Sequence, residues 1–239
     1  MAYQDQDARG RVWSTLLTAN DSTAKEELGA LRELSDGRMF RYVKMTGSAG
    51  ALGQVFVPAT LVAADGLSVG STTNGPDGAT TTLITDADAS WTNDAYKGWY
   101  FKVDTGETGS EEPIKIVGNT ATTLTLERQL STTVAAGDNG EILAGNVAVK
   151  KCAVDTPNTS VVGVGIGTLT QDYYGWVQVR GIAAVLSTAA LSEGESCCAG
   201  GATTAGQAED RDASQNGILG NTIAAGGTND YQMVDLRIV

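Results

Sequence analysis

Apolar and polar residues alternate in short runs along most of the chain, and turns that contain glycine separate the runs. Residues 31–45 read LRELSDGRMFRYVKM. This pattern predicts two strands joined by a tight turn at Ser35–Gly37, because glycine accepts positive φ at little cost. Residues 53–62, GQVFVPATLV, predict a further strand in which Pro58 marks an edge or ends the pairing.

The middle of the chain contains four more strand candidates at regular spacing. Gly118 and Asn119 lie between the last two of them and predict a hairpin. Such spacing is typical of a small sandwich or barrel module inserted into another domain. The four candidates are Thr80–Thr85, Lys97–Val103, Pro113–Val117 and Thr122–Arg128.

Helical periodicity is confined to Thr23–Leu31, where Gly29 interrupts it. We therefore expect an all-β protein with short connections. The expected fold is a small β-barrel or β-tulip-like domain formed by residues 31–64 and 145–239. Residues 65–144 are expected to form an inserted, β-sandwich-like acidic module, and residues 1–30 an extended N-terminal arm.

The last third of the chain contains two similar segments, Val161–Ile182 and Ile218–Val239. Each reads as a strand, a polar turn and a second strand, with an aromatic residue where the chain leaves the turn. Two such hairpins are expected to form opposite walls of one small barrel, with Ala183–Gly217 connecting them. Chance similarity between β-hairpins is the alternative.

The net charge and the lack of histidine exclude several classes of function. The chain has 239 residues, a net charge of −12 and no histidine. The absence of histidine excludes Ser–His–Asp and Cys–His catalytic arrangements and histidine metal ligands. Residues 45–145, with 4 basic and 12 acidic side chains, are the most acidic part, and no Lys/Arg-rich run occurs. Nucleic acid is therefore not an expected partner.

The sequence contains little that indicates a membrane segment, a secretory signal or a disulfide framework. The longest uncharged stretch, residues 45–64, is too polar for a spanning helix, and the first eleven residues lack the apolar region of a secretory signal. The three cysteines, Cys152, Cys197 and Cys198, have no CxxC spacing. We expect buried reduced thiols; a disulfide framework or a metal site is the alternative.

One acidic stretch has part of the spacing of a calcium loop. Asp86, Asp88 and Asp94 stand at oxygen-ligand positions, but Trp91 occupies the position that needs glycine and Lys97 the position that needs glutamate. We expect a solvated acidic loop, with a weak calcium site as the alternative.

Other candidate chemistry is weaker still. Glu111 and Glu112 are neighbours, so on a strand they point to opposite faces, and Glu193 with Glu195 also reads as ordinary surface acids. The glycine-rich Gly163–Gly167 is not followed by GKS or GKT and predicts a strand at which backbones approach closely.

The aromatic residues offer one further function, stacking on sugars, although aromatic side chains of a β-module are usually core or interface anchors. No catalytic, metal or cofactor site is predicted, and a structural or binding protein is expected rather than an enzyme. The aromatic residues concerned are Trp91, Trp99, Trp176, Tyr173 and Tyr174.

Three segments resemble motifs of the capsid decoration, or cement, proteins of tailed bacteriophages. In that group GxxFxYVK, GYxWVQxRG and YxxVxLRxx strands recur around a small barrel. They correspond here to Gly37–Lys44, Tyr174–Gly181 and Tyr231–Val239. The likeness covers residues 28–64 and 145–239, and the middle insert is variable in such proteins.

This resemblance implies a non-enzymatic virion protein that binds the outer surface of the assembled capsid and stabilises the shell against the pressure of packaged DNA. The implied partners are the major capsid protein and further copies of this chain, most often in a homotrimer, with no nucleic acid, membrane or cofactor. The implied location is the outer capsid surface, after synthesis in the host cytoplasm.

The resemblance also implies an N-terminal arm that adds a strand to the shell. We predict that Val12, Trp13, Leu16 and Leu17 are its capsid contacts. The barrel strands are predicted to form the core and the oligomer contact, with these residues: Tyr174, Trp176, Val179, Tyr231, Val234 and Leu236.

Two rival functions follow from the same sequence. A receptor- or glycan-binding module of a head or tail fibre would use the acidic insert and its aromatic residues as the binding face. A hydrolase of cell wall or capsule is disfavoured because the chain lacks histidine and a convincing carboxylate pair. A major capsid protein is disfavoured because the long spine helix has no counterpart.

Overall fold

The computed structural model describes residues 10–59, 83–86, 89–103, 113–128, 130, 140–154, 160–200, 204–211 and 218–238. These residues form strands and connections without a helix, so the expected all-β class is confirmed. The chain divides into two compact units, residues 1–59 with 146–239 (the barrel unit) and residues 60–145 (the middle unit).

The strands are short, with one exception of fourteen residues. In chain order they are β1 (Asn20–Asp21), β2 (Leu31–Glu33), β3 (Met39–Met45), β4 (Val55–Pro58), β5 (Leu83–Thr85), β6 (Tyr100–Val103), β7 (Ile114–Asn119), β8 (Thr123–Leu126), β9 (Gly140–Leu143), β10 (Ala148–Lys151), β11 (Gly163–Gly165), β12 (Tyr174–Ser187), β13 (Ser196–Ala199), β14 (Ala208–Asp210), β15 (Ile218–Ala224) and β16 (Asp230–Arg237).

Five strands of the barrel unit close on themselves in the order β12, β11, β4, β10 and β3, and β3 pairs with β12 again. All of these pairs are antiparallel except β3 with β10. The expected β-barrel is therefore present. Its interior is filled by apolar side chains that alternate along the strands: Val43, Met45, Phe56, Val149, Val162, Leu169 and Val177.

Strand β12 and four further strands form a second ring in the order β12, β16, β15, β13 and β14. This ring closes through one parallel pair, Ser187 with Ala208, and Ser187 Oγ also donates to Ala208 O over 3.1 Å. Strand β12 belongs to both rings. The buried residues of the second ring include Val185, Leu191, Cys197, Ala199, Leu219, Val234 and Leu236.

The predicted hairpin at residues 31–45 is confirmed as β2–β3, with Gly37 at φ +84° in the turn. Strand β4 ends at Pro58 and lies between β10 and β11, so it is not an edge strand, and Ala59 N still donates to Ala148 O beyond the proline. The prediction of a short helix in Thr23–Leu31 is wrong, because Gly29 takes φ +83° and reverses the chain there.

Both repeated segments form hairpins, β11–β12 and β15–β16. Their expected arrangement as opposite walls of one barrel is wrong, because β12 of the first hairpin pairs directly with β16 of the second, so the two hairpins are neighbours. The stretch Ala183–Gly217 is not a simple connection, since it continues β12 and supplies β13 and β14.

The middle unit contains one antiparallel sheet in the order β5, β8, β7, β6 and β9. The hairpin at Gly118 and Asn119 is confirmed, although the chain turns just after them, where Thr120 N donates to Thr123 O. Strand β9 was missed because its segment GEIL has only two apolar residues. Residues 60–62 and 80–82 of the predicted strands lie outside the described residues.

The close contact between β15 and β16 generates a testable prediction. A Cβ added at Gly220 would overlap the backbone of Asp235, whereas a Cβ at Gly167 would meet open space. We expect Gly220→Ala to lower the free energy of unfolding by roughly 1–3 kcal/mol through overpacking, and Gly167→Ala to leave it almost unchanged. Urea unfolding followed by circular dichroism measures both; equal effects would contradict this packing.

Candidate functional site

The described residues contain no group of three Cys, Asp or Glu side chains placed to hold a metal ion. Asp86 is buried and Asp94 is exposed at φ +56°, while Asp88, Glu111 and Glu112 lie outside the described residues. No helix in the described part of the chain is long and apolar enough to cross a membrane.

The glycine-rich strand and the cysteines are structural. A Cβ at Gly165 would lie 2.3 Å from the backbone oxygen of Ala51, which confirms the expected close approach of backbones. Cys152, Cys197 and Cys198 are all buried and unbridged, as expected. Burial raises the pKa of Cys197 to about 12, so its thiol stays protonated near neutral pH and is a poor nucleophile or metal ligand.

The N-terminal segment (residues 10–30) is docked on the outside of the first ring. Trp13 is only 4% exposed, and its ring meets Trp176 edge-to-face with 5.0 Å between centroids. Trp176 also contacts Tyr42 at 5.1 Å and donates from Nε1 to Thr15 Oγ1 over 2.9 Å. Aromatic contacts of this kind bury large area with defined geometry, so they fix the segment in place.

A buried arginine joins this aromatic cluster. Arg32 is fully buried, and its Nη1 donates to Thr15 O over 3.0 Å. The guanidinium lies 5.9 Å from the ring centres of both Trp13 and Trp176. These contacts hold the first half of the N-terminal segment by cation–π attraction and hydrogen bonding.

The second half of the segment is fixed by its backbone and by Asn20. Strand β1 pairs with β12, and Asn20 exchanges two side-chain hydrogen bonds with Thr170, each 2.9 Å long. A Cβ at Gly175 would lie 2.6 Å from Ala19 O, so glycine at this position of β12 permits the approach. The expected arm is therefore held on the barrel unit along residues 10–30.

The docked segment covers two of the four predicted capsid contacts and leaves the other two exposed. Trp13 lies inside the aromatic cluster, and Leu17 is partly buried against the same cluster. Val12 and Leu16 are 45% and 61% exposed. Only these two offer a large apolar surface to a partner, and the contact role itself stays a prediction.

The six residues predicted to form the core and the oligomer contact also differ in burial. Trp176, Val179, Val234 and Leu236 are buried within the barrel unit. Tyr174 is half-buried and stacks on Tyr42 with 6.4 Å between centroids. Tyr231 is 47% exposed, so among the six it presents the largest free surface. Their role in self-association stays a prediction.

Tyr231 belongs to a larger exposed apolar patch that the sequence reading missed. The patch, which we call the β16 face, consists of Ile182, Ile223, Tyr231 and Met233. Register places Met233 opposite Ala184 of β12 and near Ala224 of β15. Alternation along β16 predicts which of its side chains share a face, but not that the face stays uncovered.

The aromatic residues of the middle unit pack mainly on one another. Tyr96 meets Trp91 and Trp99 edge-to-face, at 6.0 and 5.3 Å. Trp99 is buried, which confirms the core interpretation for this residue, and burial raises the pKa of the Tyr96 hydroxyl. Trp91 is partly exposed, so part of its ring is available for stacking on a ligand.

Comparisons of this chain with protein-family models, with curated proteins and with solved structures found no match. The functional interpretation therefore depends on the residues and their arrangement.

The aromatic cluster generates a second prediction. Trp13→Ala removes a buried indole, and we expect the free energy of unfolding to fall by about 3–5 kcal/mol. Leu16→Ala removes an exposed side chain of the same segment and is expected to change stability by less than about 0.5 kcal/mol. Thermal or urea unfolding measures both; a Trp13→Ala variant as stable as the wild type would show that the segment is not docked.

Proposed function

We propose that this protein binds the outer surface of the assembled capsid of a tailed bacteriophage and stabilises the shell. The observation that carries the proposal is the position of the three segments that resemble decoration proteins. They lie on β3, β12 and β16, and these three strands are consecutive neighbours, since β12 pairs with both of the others.

The three segments come from distant parts of the chain. Register places Tyr42 opposite Trp176, and Gly181 opposite Leu236. The chain brings them together in one continuous three-stranded surface. Their adjacency supports a common structural origin for the three motifs.

The surface chemistry supports a binding function. The N-terminal segment presents Val12 and Leu16 on a firmly attached backbone, which reduces the entropy lost when a partner binds. A protein that binds only the assembled lattice stabilises that lattice by mass action. Several copies joined together would multiply modest contacts through effective concentration. The net charge of −12 limits aggregation of the free protein.

We further propose that copies of the chain associate through the β16 face, in a homotrimer. This face presents four large exposed apolar side chains, with Asp235 opposite Ile182 at its edge, and it belongs to the barrel unit, which is the part that carries the resemblance. Large exposed apolar patches mark interaction sites more often than ordinary surface.

A glycan-binding fibre module is the second candidate function. The separate middle unit, with the partly exposed Trp91, favours it. Binding of the isolated protein to a glycan array, with loss of that binding in Trp91→Ala, would favour this candidate over a capsid partner.

A third prediction concerns the contact with the shell. Val12→Ser combined with Leu16→Ser is expected to weaken binding to purified capsids that lack this protein at least about 10-fold, because two apolar side chains no longer leave water on binding. The free energy of unfolding of this double variant should stay unchanged. Deletion of the whole segment would be a poorer test, because it would expose Trp176 and Tyr42 and so lower the stability. Co-sedimentation measures the binding.

Leu52→Ser is the matched control, since Leu52 is 44% exposed on the same unit but outside the N-terminal segment. It should bind like the wild type. Equal binding by all three proteins would contradict the assignment of Val12 and Leu16.

A fourth prediction concerns self-association. Met233→Lys places a charge at the centre of the β16 face, and we expect it to convert the oligomer into monomers without loss of stability. Analytical ultracentrifugation measures the mass, and Leu52→Lys is the control. A wild-type protein that is monomeric at micromolar concentration, or an oligomer unaffected by Met233→Lys, would refute this contact.

A further inference from the structure

A groove of about 340 Å³ lies between the β2–β3 hairpin and the β12–β16 pair of the barrel unit. Four of its lining residues are apolar: Leu31, Met39, Val179 and Ile238. The other three are arginines: Arg41, Arg180 and Arg237. We call it the arginine groove. None of its lining residues belongs to the N-terminal segment or to the β16 face.

The register of the strands brings the three arginines together. Met39 and Arg41 are two residues apart on β3, so they share a face of the sheet. Met39 lies opposite Arg180 of β12, and Arg180 lies opposite Arg237 of β16. Arg41 and Arg180 are therefore diagonal neighbours on adjacent strands, a separation that long side chains bridge. A small ligand between β3 and β12 can contact both guanidinium groups.

The groove is positive although the protein is acidic. Residues 146–239 hold 5 basic side chains against 9 acidic ones, and two of these five, Arg180 and Arg237, stand directly opposite each other. Like charges in that position destabilise a sheet. Arg237 pairs with Asp235 over 3.3 Å, whereas Arg41 and Arg180 form no ion pair with another described residue. Two positive charges of the groove therefore lack a counter-charge from the described part of the chain.

Arg41 also has an unused hydrogen-bond donor. Its Nη1 atom is buried and has no hydrogen-bond partner among the described residues. Burial lowers the pKa of Arg41, since the surroundings disfavour its charge. A buried donor that lacks an acceptor costs stability, and an oxygen atom of a bound anion would supply the acceptor and the opposite charge together.

We propose that the arginine groove binds a small organic carboxylate with an apolar body, such as an aliphatic acid of medium chain length. The carboxylate lies between Arg41 and Arg180 and accepts hydrogen bonds from both guanidinium groups. The apolar chain of the ligand contacts Leu31 and Met39. This inference goes beyond the proposed function and does not depend on it, because it names the ligand by its chemistry alone.

The size and the lining of the groove favour a small molecule. Small-molecule pockets have volumes of about 300–1,000 Å³ and are mostly apolar, with a few polar groups that fix the orientation of the ligand. The arginine groove, with about 340 Å³, four apolar residues and three guanidinium groups, matches that description. Leu31 is 48% exposed, so the chain of a ligand would remove apolar surface from water.

The surroundings favour a carboxylate over a phosphate. Guanidinium groups bind both anions with similar geometry. A phosphate group carries about 1.5–2 negative charges, and its transfer into surroundings that already disfavour the charge of Arg41 costs more than the transfer of one charge. Asp235 beside Arg237 also repels a second negative charge. Inorganic phosphate gains nothing from the apolar lining.

Equilibrium dialysis of the full-length protein against isotope-labelled octanoate at neutral pH tests the proposal. We expect the wild type to bind octanoate with a Kd below about 1 mM. Two competitors each keep one half of the ligand: 1-octanol has the chain without the charge, and acetate has the charge without the chain. Both should displace octanoate at least about 10-fold less effectively than unlabelled octanoate does. Octyl phosphate distinguishes the two head groups and should also compete less well than octanoate.

Matched variants locate the site. Arg41→Met, which keeps apolar volume and removes the charge, and Arg180→Gln should each weaken octanoate binding at least about 10-fold. Arg211→Gln changes an exposed arginine outside the groove and should leave the binding unchanged. Leu31→Ser should weaken the binding, whereas Leu52→Ser, at a leucine that is 44% exposed elsewhere on the barrel unit, should not. The urea midpoint of ligand-free Arg41→Met should not fall, because a poorly solvated charge is removed.

Four outcomes would overturn the proposal. They are no binding of octanoate to the wild type, competition by 1-octanol as effective as by octanoate, tighter binding of octyl phosphate, and unchanged octanoate binding by Arg180→Gln. Arg180 is exposed, so its replacement leaves the fold intact and keeps the test decisive even where Arg41→Met does not fold.

Discussion

The structure depends on a bend in one strand that serves two closed rings. The first half of β12 pairs with β3 and β11, and the second half pairs with β16 and β14. Where the two halves meet, the pairing of β12 with β3 has a β-bulge between Gln178 and Arg180. Gly181, the next residue of β12, takes φ +81°. The buried Gln178 amide donates at this bend, with 2.9 Å from Nε2 to Ile182 O. A β-bulge of this kind redirects a strand while its carbonyls remain satisfied.

The bend in β12 also determines where the candidate contact surfaces lie. The first half of β12 carries Trp176, on which the N-terminal segment is anchored, and Gly175, which lets the segment approach. The second half carries Ile182 in the β16 face. The same strand thus positions both the docked N-terminal segment and the β16 face.

Local features of the fold could be predicted from the sequence, and long-range ones could not. The β2–β3 and β7–β8 hairpins carry alternation and turn residues within about fifteen positions, so the pattern alone identifies them. Closure of the rings depends on pairs such as Lys44 with Ala148 and Ser187 with Ala208. Such pairs leave no periodic signal, which is why the repeated hairpins were placed in one barrel.

The candidate sites show the same limit. Exposed apolar residues near the start of the chain indicated a contact segment, but burial of Trp13 depends on Arg32 and Trp176, which are remote in sequence. Nothing in the local sequence indicates that Arg32 is buried, because charged side chains rarely are.

The most direct test of the account is the number of copies of this chain in purified virions, measured by quantitative mass spectrometry against the major capsid protein. Decoration of the whole shell predicts a ratio near one, or a simple fraction set by the lattice. A handful of copies would contradict shell decoration and indicate a fibre or vertex component, and absence from the particle would contradict a virion function altogether.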